Sequence, residues 1–248
     1  MKSESIRDFI ERIREHLDPI DRNDISEDFL DSHGYISNDC LFTWDVTDGK
    51  MKFRFGFEQL LGVKDEMLTL ERFVSFMHPE EVEHVKRIGQ AATLRAVEEP
   101  VGNREWTLYV AHRLRRKDDR YIHVLAQSSP AAFDSNGLIT LFVVRLTDIS
   151  FKKSDGVVNY KFIHPGLDAD AFHKSIFPEI HSLFTEREVE VIKFIKKGYN
   201  SQKIADELGI SKHTVTTHRK KILKKADCHS SKELLNYCEK NGLRFAAY

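Results

Sequence analysis

Cysteine is scarce in this chain. Three residues of 248 are cysteine, Cys40, Cys228 and Cys238, an odd number at unrelated spacings. That pattern builds neither a disulfide framework nor a zinc site, so reduced thiols and no bound metal are expected. Long apolar runs are missing as well. The longest, Leu141 to Val144 with Ile139 nearby, falls far short of the ~20 residues a membrane helix needs. The opening MKSESIRDFIERIREH alternates charge and lacks the apolar stretch of a secretory signal. A cytoplasmic protein with no membrane contact is therefore expected. There is no Gly-rich phosphate loop, metal-ligand cluster or nucleophile set beside a base, and no enzymatic activity is expected.

What is present is enough apolar material, 41% of residues against 31% charged, for one or two compact cores, and two domains is the better reading of the length. The near-zero net charge of -1 conceals an asymmetry. Residues 183–248 carry 14 Lys and Arg against 8 Asp and Glu, a balance of +6, which leaves 24 against 31, or -7, for residues 1–182. The tail is basic, and a basic surface collects polyanions because each neutralised phosphate releases condensed counterions.

From Leu183 the spacing predicts four short helices. Thr185 and Glu188 make a capping box, with Phe184 and Val189 placed as a hydrophobic staple. Val189, Ile192 and Ile195 share one face, and Gly198 stops the helix. Asn200 or Ser201 caps a second helix, QKIADEL, that buries Ile204, Ala205 and Leu208. A turn at Gly209 and Ile210 leads to Ser211 as cap of a third helix, and so short a Gly-containing turn is the helix-turn-helix signature. On a wheel of 100° per residue, Val215, His218, Ile222, Leu223 and Ala226 form the core arc, joined by the stem of Arg219. His218 reads as a packed, hydrogen-bonded core residue. The opposite arc carries His213, Thr216, Thr217 and Lys220, candidates for base edges, with Lys221 and Lys224 beside them for phosphates. Thr216 and Thr217 can offer a methyl to thymine and a hydroxyl to an acceptor; His213 and Lys220 can donate to purine N7 or O6. Ser230 and Glu233 form a second capping box before Leu234, Leu235, Tyr237 and Cys238.

The stretch LFTEREVEVIKFIKKGYNSQKIADELGISKHTVTTHRKKILKKADCHSSKELL resembles the LuxR-type (GerE-like) DNA-binding domain of bacterial transcription regulators. The resemblance implies a four-helix domain that dimerises through its last helix, with Leu234, Leu235 and Cys238 as candidates. It further implies that Thr216, Thr217 and Lys220 face bases while Asn200, Ser201, Lys203, Thr214 and Lys224 approach phosphates. The family often has Lys where Thr216 stands, so no sequence preference carries over.

Ahead of this tail, residues 3–17 fit a helix with Ile6, Phe9, Ile10, Ile13 and Leu17 on one stripe, to pack on the next domain or on a second subunit. LFTWDV and KMKFRF then read as strands about a turn at Thr47-Asp48-Gly49. FEQLLG and LERFVSFM are short helices, and Pro79 opens a longer one. Three alternating strands follow, the first with Trp106, Leu108, Val110, His112 and Leu114 on one face. Residues 151–182 read as an ordered linker broken at Gly156, Pro165, Gly166 and Pro178, in which Val157 to Ile163 could supply a short strand.

Residues 39–150 resemble a PAS domain through the F-x-x-L-L-G helix, the H-P-E-E helix start and the closing T-D-I-S. This implies a five-stranded antiparallel sheet with helices across one face, often around a sensory pocket, with signals leaving near Asp148. No flavin-binding cysteine motif is present, His84 reads as a surface or core residue rather than a haem ligand, and Phe73, Phe76, Met77 and Trp106 read as packing. No cofactor is evident; a small-molecule ligand is left open.

The expectation is thus a helical extension (1–38), an α+β PAS-like domain (39–150), a linker (151–182) and an all-α helix-turn-helix domain (183–248). The function expected is that of a homodimeric transcription regulator binding double-stranded DNA, with RNA polymerase as a candidate further partner. The alternative is a PAS-like half that senses nothing and serves as a dimerisation or partner-docking scaffold.

Overall fold

The computed structural model describes residues 40–98, 106–152 and 156–243; the helix expected over 3–17 lies outside them. The chain divides into two compact units between Ala169 and Asp170.

The first unit is built on an antiparallel sheet: β1 (Cys40–Asp45), β2 (Lys50–Phe55), β3 (Thr107–Arg115), β4 (Tyr121–Phe133), β5 (Ile139–Asp148) and β6 (Asn159–Ile163), in the order β2-β1-β5-β4-β3-β6. Between β2 and β3 come the helices α1 (Phe57–Leu61), α2 (Leu70–Ser75) and α3 (Val82–Glu98). The alternation read from the sequence sets the layers. Leu108, Val110, His112 and Leu114 are all buried, while the residues between them are half-exposed. Leu114 packs with Phe42, Phe57, Leu61, Phe73 and Leu146 in the core under the helices.

Three departures from the sequence reading have physical causes. The sheet has six strands rather than five, because the segment 159–163 pairs antiparallel with β3 from Thr107↔Ile163 to Ala111↔Asn159. Phe162 holds it there, with its ring centroid 5.1 Å from that of Trp106. β4 continues past Ser128 through Pro130, which lacks an N–H for the ladder. At Pro130 the strand has left its β3 partners and keeps only β5, and the register with β5 shifts next to it, so the missing donor falls where a bulge absorbs it. Regular helix α3 begins at Val82 rather than Pro79, after a turn closed by Val82 N–H donating to His78 O at 3.0 Å.

The second unit is helical: α4 (Ala169–Ile176), α5 (Pro178–Leu183), α6 (Glu186–Lys196), α7 (Ser201–Leu208), α8 (Lys212–Lys225) and α9 (Ser231–Lys240). Pro178, expected to break structure, instead starts α5 at a position where its missing N–H costs nothing. Phe172, Ile176, Phe177 and Ile180 are buried, so the later part of the expected linker belongs to the body of the helical unit. Gly242 closes this contact. It has φ of +84°, and a Cβ there would land in the Phe177 ring. Gly242→Ala combines left-handed strain with overpacking and is expected to destabilise the helical unit by about 2 to 3 kcal/mol, measurable as an earlier urea midpoint.

Candidate functional site

The helix-turn-helix is positioned by caps that the sequence spells out. Thr185 N–H donates to Glu188 Oε2 at 2.9 Å and Glu188 N–H to Thr185 Oγ1 at 3.3 Å, which completes the capping box of α6. Glu188 does more than cap. It is 3% exposed and pairs with Lys225 Nζ at 2.6 Å, joining the start of α6 to the end of α8. Burial alone would raise this carboxyl's pKa, but the Lys225 ammonium and the Thr185 N–H outweigh it and hold it below the ordinary range. The stability it contributes is present above the ordinary glutamate value and is lost as pH falls through the lowered one.

Asn200 Oδ1 accepts from Lys203 N at 2.9 Å to cap α7, and Ser201 opens that helix. Gly209, with φ of +63°, ends it in a left-handed turn, and Ile210 N–H reaches back to Ala205 O at 3.1 Å. Ser211 Oγ accepts from Thr214 N at 3.0 Å to cap α8 and lies 2.8 Å from Thr214 Oγ1. Two helices are thereby joined across a tight turn, with Ile204, Ala205, Val215 and Ile222 buried. Val191 is buried on α6 alongside Ile192 and Ile195, whereas Val189 is only half-buried.

The five cations from Arg219 to Lys225 divide into two groups. Arg219 turns inward, donating to Tyr199 O at 3.4 Å and to Ser231 Oγ at 3.1 Å, and Lys225 is taken by Glu188. Lys220, Lys221 and Lys224 are exposed and have no partner among the described residues. His213, Thr216 and Thr217 are exposed on the same helix. The threonine hydroxyls donate back along it, Thr216 Oγ1 to Lys212 O at 2.9 Å and Thr217 Oγ1 to His213 O at 3.1 Å. Thr214 is half-buried, with its hydroxyl at the cap. Lys203 extends its ammonium over the Tyr199 ring, 3.8 Å from the centroid, at the mouth of α7.

Leu234, Cys238 and His218 differ from what the sequence leads one to expect. Leu234 and Cys238 are 1% and 0% exposed inside their own domain, so neither can supply a dimer surface; of the three candidates, only Leu235 is half-exposed. Burial among apolar groups pushes the Cys238 thiol up to about 12, as an inert core cysteine requires. His218 is half-buried and has no hydrogen bond among the described residues, in place of the hydrogen-bonded core role expected for it.

The first unit contains a cavity of about 160 Å³ beneath α2 and α3, lined mainly by apolar side chains. Phe73 and Met77, which read from the sequence as packing, line it. His112 on β3 is among its lining residues. It is 2% exposed, its ring nitrogens have almost no accessible surface, and the Val110 backbone is a hydrogen-bonding group that acts on them. Burial drives its pKa down to about 4, against the Glu81 carboxylate and the Val110 backbone, which raise it, and His123, which lowers it slightly. The imidazole is therefore neutral at pH 7. A depressed folded-state value means that stability is full above pH ~6.5 and is lost as pH falls toward 4. The loss reaches about 3 kcal/mol, and His112→Leu is expected to flatten that part of a stability-against-pH curve. The sequence places His112 on a buried face but carries no sign of how completely its nitrogens are sealed.

Among the described residues no group of three or more His, Cys, Asp or Glu could hold a metal ion, and no helix is long and apolar enough to cross a membrane.

The chain therefore combines a PAS-type sheet domain with a helix-turn-helix domain. Residues 54–144 match the PAS fold, and residues 182–238 form a domain of the luxR family of bacterial regulatory proteins. Similar curated proteins include the oxygen regulatory protein NreC of Staphylococcus carnosus (strain TM300), 31% identical over 97 residues, 39% of this chain and 42% of that protein. The uncharacterized response regulatory protein YgeK of Escherichia coli (strain K12) is 41% identical over 59 residues, 24% of this chain and 40% of that protein. The chain covers less than half the length of these relatives. Similar solved structures include the N-terminal domain of a diguanylate cyclase with PAS/PAC sensor from Marinobacter aquaeolei, at 17% identity and TM-score 0.39, covering 46% of this chain and 96% of that one. Another is the Vibrio cholera VqmA-ligand-DNA complex, at 15% identity and TM-score 0.34, covering 88% of each chain.

Proposed function

We propose that this protein is a transcription regulator that binds double-stranded DNA through α8, under the control of its PAS domain. The observation that carries this reading is the division of the α8 cations. Of the five from Arg219 to Lys225, two serve the fold, and the three left without a partner among the described residues share a helix with exposed His213, Thr216 and Thr217 at the end that enters a major groove in this motif. On this reading His213, Thr216, Thr217 and Lys220 meet base edges. Asn200, Ser201, Lys203, Thr214, Lys221 and Lys224 lie along the phosphates, Thr214 and Asn200 through groups left over from capping.

A homodimer in the cytoplasm fits this role, because paired half-sites one helical turn (~34 Å) apart suit a two-fold protein. The cavity beneath α2 and α3 favours a sensing role for the PAS domain over a fully packed scaffold. Selection of duplexes from a randomised library by the full chain tests the proposal. A paired motif whose binding weakens as salt rises is expected; failure to enrich any duplex even in dilute buffer would overturn it.

A further inference from the structure

Tyr199, in the turn between α6 and α7, is held by its backbone and by its ring. Gly198, with φ of +78°, turns the chain back on α6. Its N–H donates to Ile195 O at 2.9 Å and the Tyr199 N–H to Phe194 O at 3.0 Å, the paired bonds of a glycine-closed helix end, which sets the residue after the glycine against the last turn of the helix. The Tyr199 ring accordingly stacks on that of Phe194, with centroids 5.5 Å apart and planes at 26°. Arg219 of α8 adds a bond to Tyr199 O at 3.4 Å.

Lys203 rests on this ring, with Nζ 3.8 Å from the centroid. Glu207 stands one turn further along α7, a spacing at which ion pairs form, yet Lys203 makes no ion pair among the described residues, and Asp206 accepts from Gln202 Nε2 at 3.0 Å. The kind of partner decides what becomes of the charge. A carboxylate holds an ammonium and neutralises it, as Glu188 does for Lys225. An aromatic face holds it through the ring quadrupole, leaves its charge uncancelled and keeps N–H groups free to donate. The first turn of α7 has no acidic residue to offset that charge.

We propose that Tyr199 is a positioning residue for DNA binding: its ring, braced by Phe194, holds the Lys203 ammonium at the mouth of α7, fully charged and in place for a phosphate. The assignment deepens the DNA-binding reading and rests on it. An untethered lysine samples many rotamers, and apparent affinity scales with the fraction of molecules already in the binding arrangement. The ring raises that fraction by at most the worth of one exposed cation–π contact, about 2- to 5-fold.

The test titrates the full chain with a duplex it selects, at several salt concentrations. Lys203→Ala is expected to flatten the slope of log K against log salt by about 0.9 per half-site. Tyr199→Leu keeps apolar contact with Phe194 but removes the ring; it is expected to weaken binding about 2- to 5-fold per half-site with the slope intact, because the phosphate contact still forms once the lysine finds it. Tyr199→Phe keeps the ring and loses only a hydroxyl without a partner among the described residues, and is expected to bind as the parent does. Combined with Lys203→Ala, Tyr199→Leu is expected to change nothing further. A loss in Tyr199→Leu that persists in full without Lys203, or that Tyr199→Phe shares, overturns the positioning role, as does no loss at all. A slope unmoved by Lys203→Ala but flattened by joint replacement of Lys220, Lys221 and Lys224 removes this proposal and leaves the DNA-binding reading standing. A chain that selects no duplex removes both.

Discussion

Replacing Lys220, Lys221 and Lys224 together with alanine is expected to lower affinity by about 2.5 to 4 orders of magnitude per half-site at ~0.1 M salt. Each phosphate contact adds about 0.9 to the slope of log K against log salt, so losing Lys221 and Lys224 should flatten it by ~1.8 per half-site, and losing a base contact at Lys220 costs a further ~1 to 3 kcal/mol. The single variants separate these roles. Lys220→Ala should relax base preference, whereas Lys224→Ala should weaken all duplexes alike and flatten the slope by about 0.9 per half-site. Lys225→Ala is the internal control. Lys225 is committed to Glu188, so its loss should lower the melting temperature and leave the salt slope unchanged. Gel-shift titrations at several salt concentrations decide the matter; an unchanged slope in the triple variant would mean that this face of α8 does not meet the duplex.

Glu81→Ala is expected to destabilise the first unit by about 3 to 4 kcal/mol. Glu81 is 2% exposed. Its Oε2 accepts from Arg113 N at 2.6 Å and its Oε1 pairs with the Arg113 guanidinium, which ties the entry to α3 onto β3. Removing one member of a buried ion pair typically costs ~3 to 5 kcal/mol. The lower half of that range applies because the Arg113 side chain is 22% exposed and keeps Glu80 at 3.8 Å. Glu81→Gln, which retains an acceptor, should lose less. The same carboxylate raises the pKa of His112, the residue next to Arg113, so the acid transition assigned to His112 should move to lower pH in either variant. Chemical denaturation across pH 4 to 7 reads both effects, and a Glu81→Ala loss under ~1 kcal/mol would show the pair to be dispensable.

What the sequence made legible is local. The Thr185–Glu188 box, the Ser211 cap and the Gly209 turn depend on residues within a few positions of one another, and the structure has each of them. The Ser230 box differs in one bond. Glu233 accepts from His229 N–H at 2.8 Å, the residue before the cap, because the carboxylate reaches one position further back. What was not legible depends on distant partners. Lys225 and Lys224 are adjacent and chemically identical, and only Glu188, 37 positions away, makes one structural and leaves the other free. The family resemblance could not tell which of Leu234, Leu235 and Cys238 would be sealed, since that depends on what the other helices bring against α9. Strand β6 was visible only as an apolar run; its place beside β3 follows from Phe162 meeting Trp106. His112 read as one more member of an alternating face, and nothing short of its surroundings reveals that its nitrogens are sealed from solvent.

The back-bonded hydroxyls of Thr216 and Thr217 carry a consequence for operator composition. Each has already given its proton to a carbonyl one turn earlier in α8, so toward a duplex it presents lone pairs and a methyl. Its natural complements in a major groove are the exocyclic amino groups of adenine N6 and cytosine N4, whereas guanine offers only acceptors at O6 and N7 on that edge. Operators selected by this protein should therefore be poor in guanine at the two positions these threonines face, and introducing guanine there should weaken binding more than any other exchange.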